Sequence, residues 1–287
     1  LRDAVPGEHR GAPGHEAAGP RPASPVRPAP LAFGRTVVRA DVAVELETVN
    51  RTVRVTGGDR SELRVRGRYD PEHEEFTLEG DRSSIRIELE PKDDRGRHGR
   101  ETGDPGPLTL ELPRGARLEV DGVNGGITVE DVDGSVELES VNGALRYRGA
   151  AGSVHAETVN GAVDVRAPNA RNVRAGSVNG GVTLEVSGGH VSAEAVSGDV
   201  EIRAAGPVER LRAEAVSGDL TFSGRPASGA IFSFETHSGD VVLRLPADLS
   251  ARLEASSFSG EIESAFGGTP EKRSEEHTSE LQSPSAI

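Results

Sequence analysis

The chain has 287 residues, and 33 Lys and Arg against 47 Asp and Glu give it a net charge of −14. This balance argues against nucleic acid or an anionic membrane as a partner, because both require a clustered basic surface. The absence of Cys excludes disulfides and thiolate metal sites, and 3% aromatic residues argue against a large aromatic core. No apolar run approaches the roughly 18 residues of a membrane helix, so no transmembrane segment is predicted within this sequence.

Both ends of the chain are predicted to be disordered. Residues 1–33 are rich in Pro, Ala, Gly and Arg and show no hydrophobic periodicity, so burial cannot offset their ordering entropy. Because the sequence contains no Met, we interpret the native N-terminus, where a signal peptide would lie, as missing. Residues 269–287 are predicted to be a disordered tail. The letters RSEEHTSELQS within it resemble a translated sequencing adapter, and we interpret residues 273–287 as an artefact.

A β-strand region is predicted over residues 34–115. Val42, Val44 and Leu46 alternate with polar or small neighbours, and Ile85 and Ile87 do the same, which is typical of half-buried strands. Residues 91–107 interrupt this pattern as a charged loop rich in Gly and Pro. No segment shows the apolar spacing of a helix of three turns, so the chain is predicted to be all-β.

An internal repeat occupies residues 116–268. Its mark is an Asn-Gly or Ser-Gly pair, usually after Val, that recurs eight times with spacings of 18 to 21 residues. Glycine at such a corner permits the positive φ that a tight reversal needs, and Asn tolerates this conformation better than most residues. We therefore predict structural corners at Asn124, Gly125, Asn142, Gly143, Asn160, Gly161, Asn179, Gly180, Ser197, Gly198, Ser217, Gly218, Ser238, Gly239, Ser259 and Gly260.

Apolar residues align in three columns when the repeats are superposed on the corner residue. They stand six residues before it, as Val136 and Val154 do, and three and five residues after it, as Val163 and Val165 do. Each repeat is thus predicted to be a rung of two short strands, and one rung cannot bury its apolar side without a neighbour.

Two stackings of these rungs are open. In a parallel β-solenoid, like residues stack and the corner Asn side chains form an amide ladder. In an antiparallel meander, the Val-Asn-Gly segments are hairpin turns. Column identity favours the first. The predicted fold is therefore an all-β, β-helix-like β-solenoid of two-strand rungs, with a β-rich N-terminal portion.

An acidic column lies three residues before the corner. We interpret it as a solvated strand face, since carboxylates at the rung spacing of about 4.8 Å repel one another. The alternative is a cation ladder, because Ca²⁺ prefers several oxygen ligands. The carboxylates of that ladder would be Glu139, Glu157, Glu194, Glu214 and Glu235.

The sequence carries no catalytic motif. The His residues have no metal-ligand spacing, and the Ser-Gly pairs lack the Gly-x-Ser-x-Gly context of a nucleophile elbow. The Gly-rich stretches lack the Lys of a phosphate-binding loop. We therefore expect no catalytic residue, no cofactor and no resident metal.

One family resemblance is visible. Leu108–Gly149, with its Leu-Pro-Arg-Gly lead-in and the Val-Asn-Gly and Val-Ser-Gly rungs that follow, resembles the bacterial putative-adhesin family of β-strand-repeat proteins, a domain of unknown function. The resemblance covers residues 37–264. It implies a solenoid-like β fold and an exported or envelope-associated setting, and it transfers no catalytic or ligand residues.

These features predict a non-catalytic β-repeat protein of the cell envelope, located outside the cytoplasm or associated with the envelope. It would act as an adhesin-like binding or scaffold module for a protein or surface polymer. The alternative is an intracellular or membrane-associated envelope-stress scaffold that self-associates end to end. An enzyme acting on acidic polysaccharide is less favoured, because Lys residues and aromatic platforms for sugars are scarce.

Overall fold

A computed structural model describes residues 29–30, 36–92, 106–248, 252–259 and 277–281, and all regular elements in these ranges are β-strands. The strands are β1 (Ala29–Pro30), β2 (Thr36–Val37), β3 (Ala43–Thr48), β4 (Val53–Gly58), β5 (Glu62–Arg66), β6 (Arg68–Tyr69), β7 (Glu74–Gly80), β8 (Ser84–Pro91), β9 (Leu108–Pro113), β10 (Arg117–Asn124), β11 (Ile127–Glu130), β12 (Ser135–Asn142), β13 (Leu145–Arg148), β14 (Ser153–Asn160), β15 (Val163–Ala167), β16 (Asn172–Asn179), β17 (Val182–Val186), β18 (Gly189–Ser197), β19 (Val200–Ser217), β20 (Leu220–Ser238), β21 (Val241–Arg244), β22 (Arg252–Ser259) and β23 (His277–Leu281). Within the described ranges there is no helix of the length and apolarity needed to cross a membrane.

Two parallel ladders run the length of the repeats. The first ladder joins the strands that end at an Asn or Ser corner, from β10 through β12, β14, β16 and β18 to the later halves of β19 and β20 and to β22. The second ladder joins the strands that follow the corners, from β11 through β13, β15 and β17 to the earlier halves of β19 and β20 and to β21. The β-solenoid is therefore confirmed and the antiparallel meander is wrong.

The apolar columns form a slender core between the two ladders. Val136 pairs in register with Val154, and Val163 pairs with Val182, with each of these side chains at most 2% exposed. Aromatic residues contribute only locally. Phe222 and Phe232, both in β20, pack edge to face with their ring centroids 5.1 Å apart.

The stacking order of the N-terminal rungs differs from their order in the sequence. Strand β3 lies between β8 and β10, and β4 lies between β9 and β11, all in parallel register. The first end of the stack is covered by antiparallel strands, with β7 on β8 and β5 on β9. The division at residue 116 stays a prediction about domains, but the parallel stack continues across it.

Two short strands fall in the terminal segments for which disorder is expected. Ala29–Pro30 pairs antiparallel with β6, and β23 pairs antiparallel with β22. Strands β1 and β6 form a separate two-stranded sheet, whereas β22 pairs with β20 on one side and offers its other edge to β23, where its backbone donors and acceptors would otherwise be unpaired. The rest of the segments 1–33 and 269–287, and most of the loop 91–107, lie outside the described residues.

Candidate functional site

A ladder of side-chain amides follows the Asn corners, as the parallel stacking predicts. Asn142 donates from Nδ2 to Oδ1 of Asn124 over 2.8 Å, and Asn160 donates to Asn142 over 2.7 Å. Asn179 continues the ladder to Asn160 over 2.8 Å, and Asn124 donates to Asn50 over 2.6 Å. Sequence reasoning missed Asn50 because Arg51 follows it in place of glycine, although Val49-Asn50 already matches half of the repeat mark.

Glycine at these corners is required mainly by close packing of neighbouring rungs. A Cβ on Gly161 would lie 2.1 Å from the carbonyl oxygen of Gly143, and Gly143 stands in the same relation to Gly125 at 2.1 Å. The expected positive φ occurs at some corners only. It is present at Gly125, Gly198, Gly218 and Gly239, and it is absent at Gly143, Gly161 and Gly180 and at the corner residues Asn124, Asn142, Asn160 and Asn179.

Where Ser replaces Asn at the corner, a carboxylate two residues later takes over the contact between rungs. Ser197, Ser217, Ser238 and Ser259 remain in register. Oδ1 of Asp199 accepts a hydrogen bond from the backbone N–H of Asp219 over 2.9 Å, and Asp219 accepts one from Asp240 over 2.9 Å. Gly260 lies outside the described residues.

A groove of about 860 Å³ runs along the first ladder beside these corners, and we call it the acidic-valine groove. Three columns line it: carboxylates three residues before the corner, small residues two before it, and valines one before it. Its lining includes Glu47, Asp121, Glu139, Glu157, Glu194 and Glu214; Gly122, Ser140, Thr158, Ser177 and Ala195; and Val123, Val141, Val159, Val178, Val196 and Val216.

The floor of the acidic-valine groove is backbone, because the small residues turn their side chains inward. Oγ1 of Thr158 donates to the carbonyl oxygen of Gly143 over 3.0 Å, and Oγ of Ser177 donates to that of Gly161 over 2.8 Å. The strands beneath the groove are also paired on both sides within the first ladder. A partner that lies on this floor therefore finds no row of free backbone donors.

The valine wall is an apolar column that faces outward. Its six valines, from Val123 to Val216, are between 40% and 50% exposed. The sequence marked these residues as part of the repeat but gave them no role. A contiguous exposed apolar stripe of this kind marks an interaction surface more often than scattered single residues do.

The carboxylate wall holds the residues of the predicted cation ladder in register. Glu139 pairs with Glu157, and Glu194 with Glu214 and then Glu235, although Glu235 does not line the groove. The column is broken at Gly176, and the guanidinium of Arg174 spans the gap. Its Nε lies 3.1 Å from Oε1 of Glu157 and its Nη2 lies 3.7 Å from Oε1 of Glu194.

These carboxylates do not converge on a common point as cation ligands would. Of the described residues, the trio whose ligand atoms lie within 4.8 Å of one another is Asp70, Glu72 and His73, in a turn away from the groove. That trio makes hydrogen bonds within itself, such as His73 Nδ1 to Oδ2 of Asp70 at 2.7 Å. The cation ladder stays a prediction that this geometry does not strengthen.

Burial and neighbouring charges shift the pKa values of three carboxylates along the wall. Partial burial, followed by the charges of Glu139 and Glu119, raises the pKa of Asp121 to about 6. Burial also raises the pKa of Glu214. By contrast, contact with His155, whose Nε2 lies 2.7 Å from Oε1, lowers the pKa of Glu157, and Arg174 adds to this effect.

A second groove of about 860 Å³ lies beside the second ladder and is lined by charges of both signs. Three of its four arginines lie near its own acids: Arg114 lies 3.7 Å from Asp131, and Arg166 and Arg203 lie 3.7 and 3.8 Å from Glu185. The acidic-valine groove differs because it combines a wall of exposed valines with an excess of carboxylates over basic groups. We therefore take the acidic-valine groove as the candidate functional site.

The fold defines a β-solenoid repeat protein with an exposed groove along its side. The Toastrack DUF4097 family matches residues 43–286, and the chain belongs to this family, which confirms the resemblance read from the sequence. No curated protein sequence matches the chain.

Two solved structures are similar to this chain at low identity. A putative adhesin from Bacteroides fragilis NCTC 9343 is 15% identical, with a TM-score of 0.47, over 74% of this chain and 95% of that one. A putative cell adhesion protein from Clostridium sporogenes ATCC 15579 is 10% identical, with a TM-score of 0.38, over 76% of this chain and 100% of that one.

Proposed function

We propose that this protein is a non-catalytic, adhesin-like binding module of the bacterial cell envelope, and that it holds its partner in the acidic-valine groove. The observation that carries the proposal is the valine wall, where six side chains between 40% and 50% exposed follow one another rung by rung. Covering such a wall removes apolar area from water, which is worth about 25 cal/mol per Å². The family resemblance read from the sequence supports the envelope setting.

Binding along the side of the solenoid is better supported than end-to-end assembly. Strands β5 and β7 lie antiparallel across the first end of the stack. A second solenoid docking there in parallel register would have to displace them. The groove is open along the side of the first ladder and needs no such rearrangement.

Co-sedimentation with isolated bacterial envelope preparations tests the proposal. The double variant Val141→Ser, Val159→Ser removes two neighbouring valines of the groove wall and is expected to reduce the bound fraction at least threefold. The control is Ile231→Ser, Val242→Ser, which changes two exposed apolar residues outside the groove. Equal binding by both variants and the unchanged protein, with unfolding temperatures also equal, would contradict a role for the groove.

A further inference from the structure

We infer that the occupant of the acidic-valine groove is an extended cationic segment of a partner protein in the polyproline II conformation, with a basic residue at every third position. This inference rests on the proposed function and specifies the chemistry of its partner. Three observations carry it: the charge of the groove, the saturation of its floor and the repeat distance of its wall.

Charge selects a cationic partner. Seven carboxylates line the groove, those of Glu47, Glu90, Asp121, Glu139, Glu157, Glu194 and Glu214, against one guanidinium, that of Arg174. Arg86 and Arg212 pair with Glu47 and Glu214 without lining the groove, so the carboxylates remain in excess. Partial burial, and after it the charges of Glu139 and Glu119, raise the pKa of Asp121 to about 6, so repulsion between carboxylates contributes to this shift in the free protein. A row of basic side chains relieves that repulsion, whereas an anionic polymer adds to it.

The saturated floor selects a chain that needs no backbone partner. A peptide that adds to a sheet as a β-strand uses the free donors and acceptors of an edge. The strands under the groove lie inside the first ladder, each between two parallel neighbours. A polyproline II segment makes no backbone hydrogen bonds to itself and carries rigid proline rings, which suit contact with Val159 and Val178.

The repeat distance selects the same conformation. Parallel strands stack about 4.8 Å apart, so every second rung recurs at about 9.6 Å. A polyproline II helix repeats every three residues over about 9.3 Å. The carboxylates of Asp121, Glu157 and Glu194 occupy alternate rungs and avoid the gap at Gly176. Residues on one face of a β-strand recur at about 6.7 Å and lose this register within two rungs.

Peptide binding by the full chain tests the inference. The probe is a fluorescein-labelled peptide of four Pro-Pro-Arg triplets, and fluorescence anisotropy at low salt measures its Kd. The groove variant is Glu194→Gln, and the control is Glu137→Gln, which makes the same change of charge on a carboxylate that does not line the groove. The two side chains are 45% and 48% exposed, and each lies near one basic residue, Arg174 and His155.

The expected result is that Glu194→Gln weakens binding of the peptide at least fivefold and Glu137→Gln weakens it less than twofold. A second peptide of the same composition, with its four arginines adjacent, is expected to bind at least fivefold more weakly. Equal losses for both variants, or equal affinity for both peptides, would show attraction to net charge alone and overturn the inference. Absence of binding at low salt would overturn it as well.

Other occupants of the groove give distinct results. Tighter peptide binding by a variant that lacks residues 1–35 would identify the chain's own N-terminal segment as the occupant. A dimer that dissociates on addition of the peptide would identify a second copy. Either result would overturn the inference that the groove binds a segment of another protein. If sedimentation with envelope preparations depends on Val141 and Val159 while neither peptide binds, the proposed function stands and this inference fails.

Discussion

Asn124 donates its side-chain Nδ2 to Oδ1 of Asn50 over 2.6 Å, although 74 residues separate the two in sequence. The bond exists because the rung of β3 and β4 is stacked directly against the rung of β10 and β11. The amide ladder therefore extends one step beyond the Asn-Gly repeats. It ties the N-terminal rungs to the regular part of the solenoid.

The ladder predicts that an interior Asn contributes more stability than a corner Ser. Asn142→Ala removes the donor to Asn124 and the acceptor for Asn160. Because these groups are exposed and water replaces part of each bond, the expected loss of unfolding free energy is about 1 kcal/mol. Ser197→Ala is the control, since the described structure shows no hydrogen bond from that side chain, and it should change stability by less than about 0.5 kcal/mol. Urea denaturation of the two variants decides the matter; equal midpoints would show that the ladder is not stabilising.

Close packing of the corners predicts a large effect for a single added methyl group. A Cβ on Gly161 would overlap the carbonyl oxygen of Gly143 at 2.1 Å, whereas a Cβ on Gly152 would have no atom within 4 Å. Gly161→Ala is expected to cost about 3 kcal/mol, because the rung must move away from a rigid backbone neighbour. Gly152→Ala should fall within about 1 kcal/mol of the unchanged protein. Thermal and urea unfolding compare the pair directly, and similar stabilities would argue against close packing as the reason for the corner glycines.

Much of the solenoid could be predicted because its information is local. Each rung repeats the same apolar spacing, so Val136, Val154 and Val173 align in sequence as they do in space. The stacking order of β8, β3 and β10 could not be predicted in this way, since nothing in the periodicity of β3 says which rungs lie on its two sides. Long-range contacts of this kind depend on the whole stack.

The sequence predicted the acidic column of the groove but not its valine wall, for a related reason. The acidic column was found because Glu139, Glu157 and Glu194 stand at the same distance before the corner when the repeats are superposed. Val141 also points outward, but the sequence assigned no role to the valine that precedes each corner. The strand reaches its corner one residue later, at Asn142, and both side chains remain exposed there. Only the stacked rungs show that such valines form a continuous wall.

The raised pKa of Asp121 predicts an unusual pH dependence for its contribution to stability. Its pKa is about 6 in the folded protein, against an ordinary value of 3.8. The folded state therefore holds this proton more tightly, so the contribution to stability is full below about pH 4 and is lost as the pH rises through about 6. Asp121→Asn should gain stability relative to the unchanged protein as the pH rises from 4 to 7.

Glu157 lies in the same column as Asp121, but its pKa is shifted in the opposite direction. Its pKa is lowered, first by contact with His155, so its stabilising contribution is present at neutral pH and is lost as the pH falls through the folded-state pKa. Glu157→Gln should therefore lose stability relative to the unchanged protein at pH 7 and recover it in acid. Urea midpoints at pH values from about 3 to 7 measure both trends, since the change at Glu157 falls below its ordinary pKa of 4.5. Parallel curves for Asp121→Asn and Glu157→Gln would contradict the assigned environments.

Arg51 occupies the position that glycine takes at the regular corners, and its side chain is 1% exposed. Its Nη2 donates to both carboxylate oxygens of Glu74, over 2.6 and 2.7 Å, and so joins the corner to the capping strand β7. Removal of one partner of a buried pair leaves a charge without compensation, so Glu74→Ala is expected to cost about 3 kcal/mol. Asp41→Ala, which removes the exposed partner of Arg39, should cost less than about 1 kcal/mol.

The double variant Arg51→Gly, Glu74→Ala separates the ion pair from the fit of the side chains. It removes the buried charge and restores the glycine of the other corners, so it should be more stable than Glu74→Ala alone, as measured by urea denaturation. If the double variant is no more stable, the loss comes from packing of the Arg51 side chain against the cap. If Glu74→Ala matches Asp41→Ala, β7 is held to the solenoid by its backbone pairing with β8, and the ion pair is not needed to close this end of the stack.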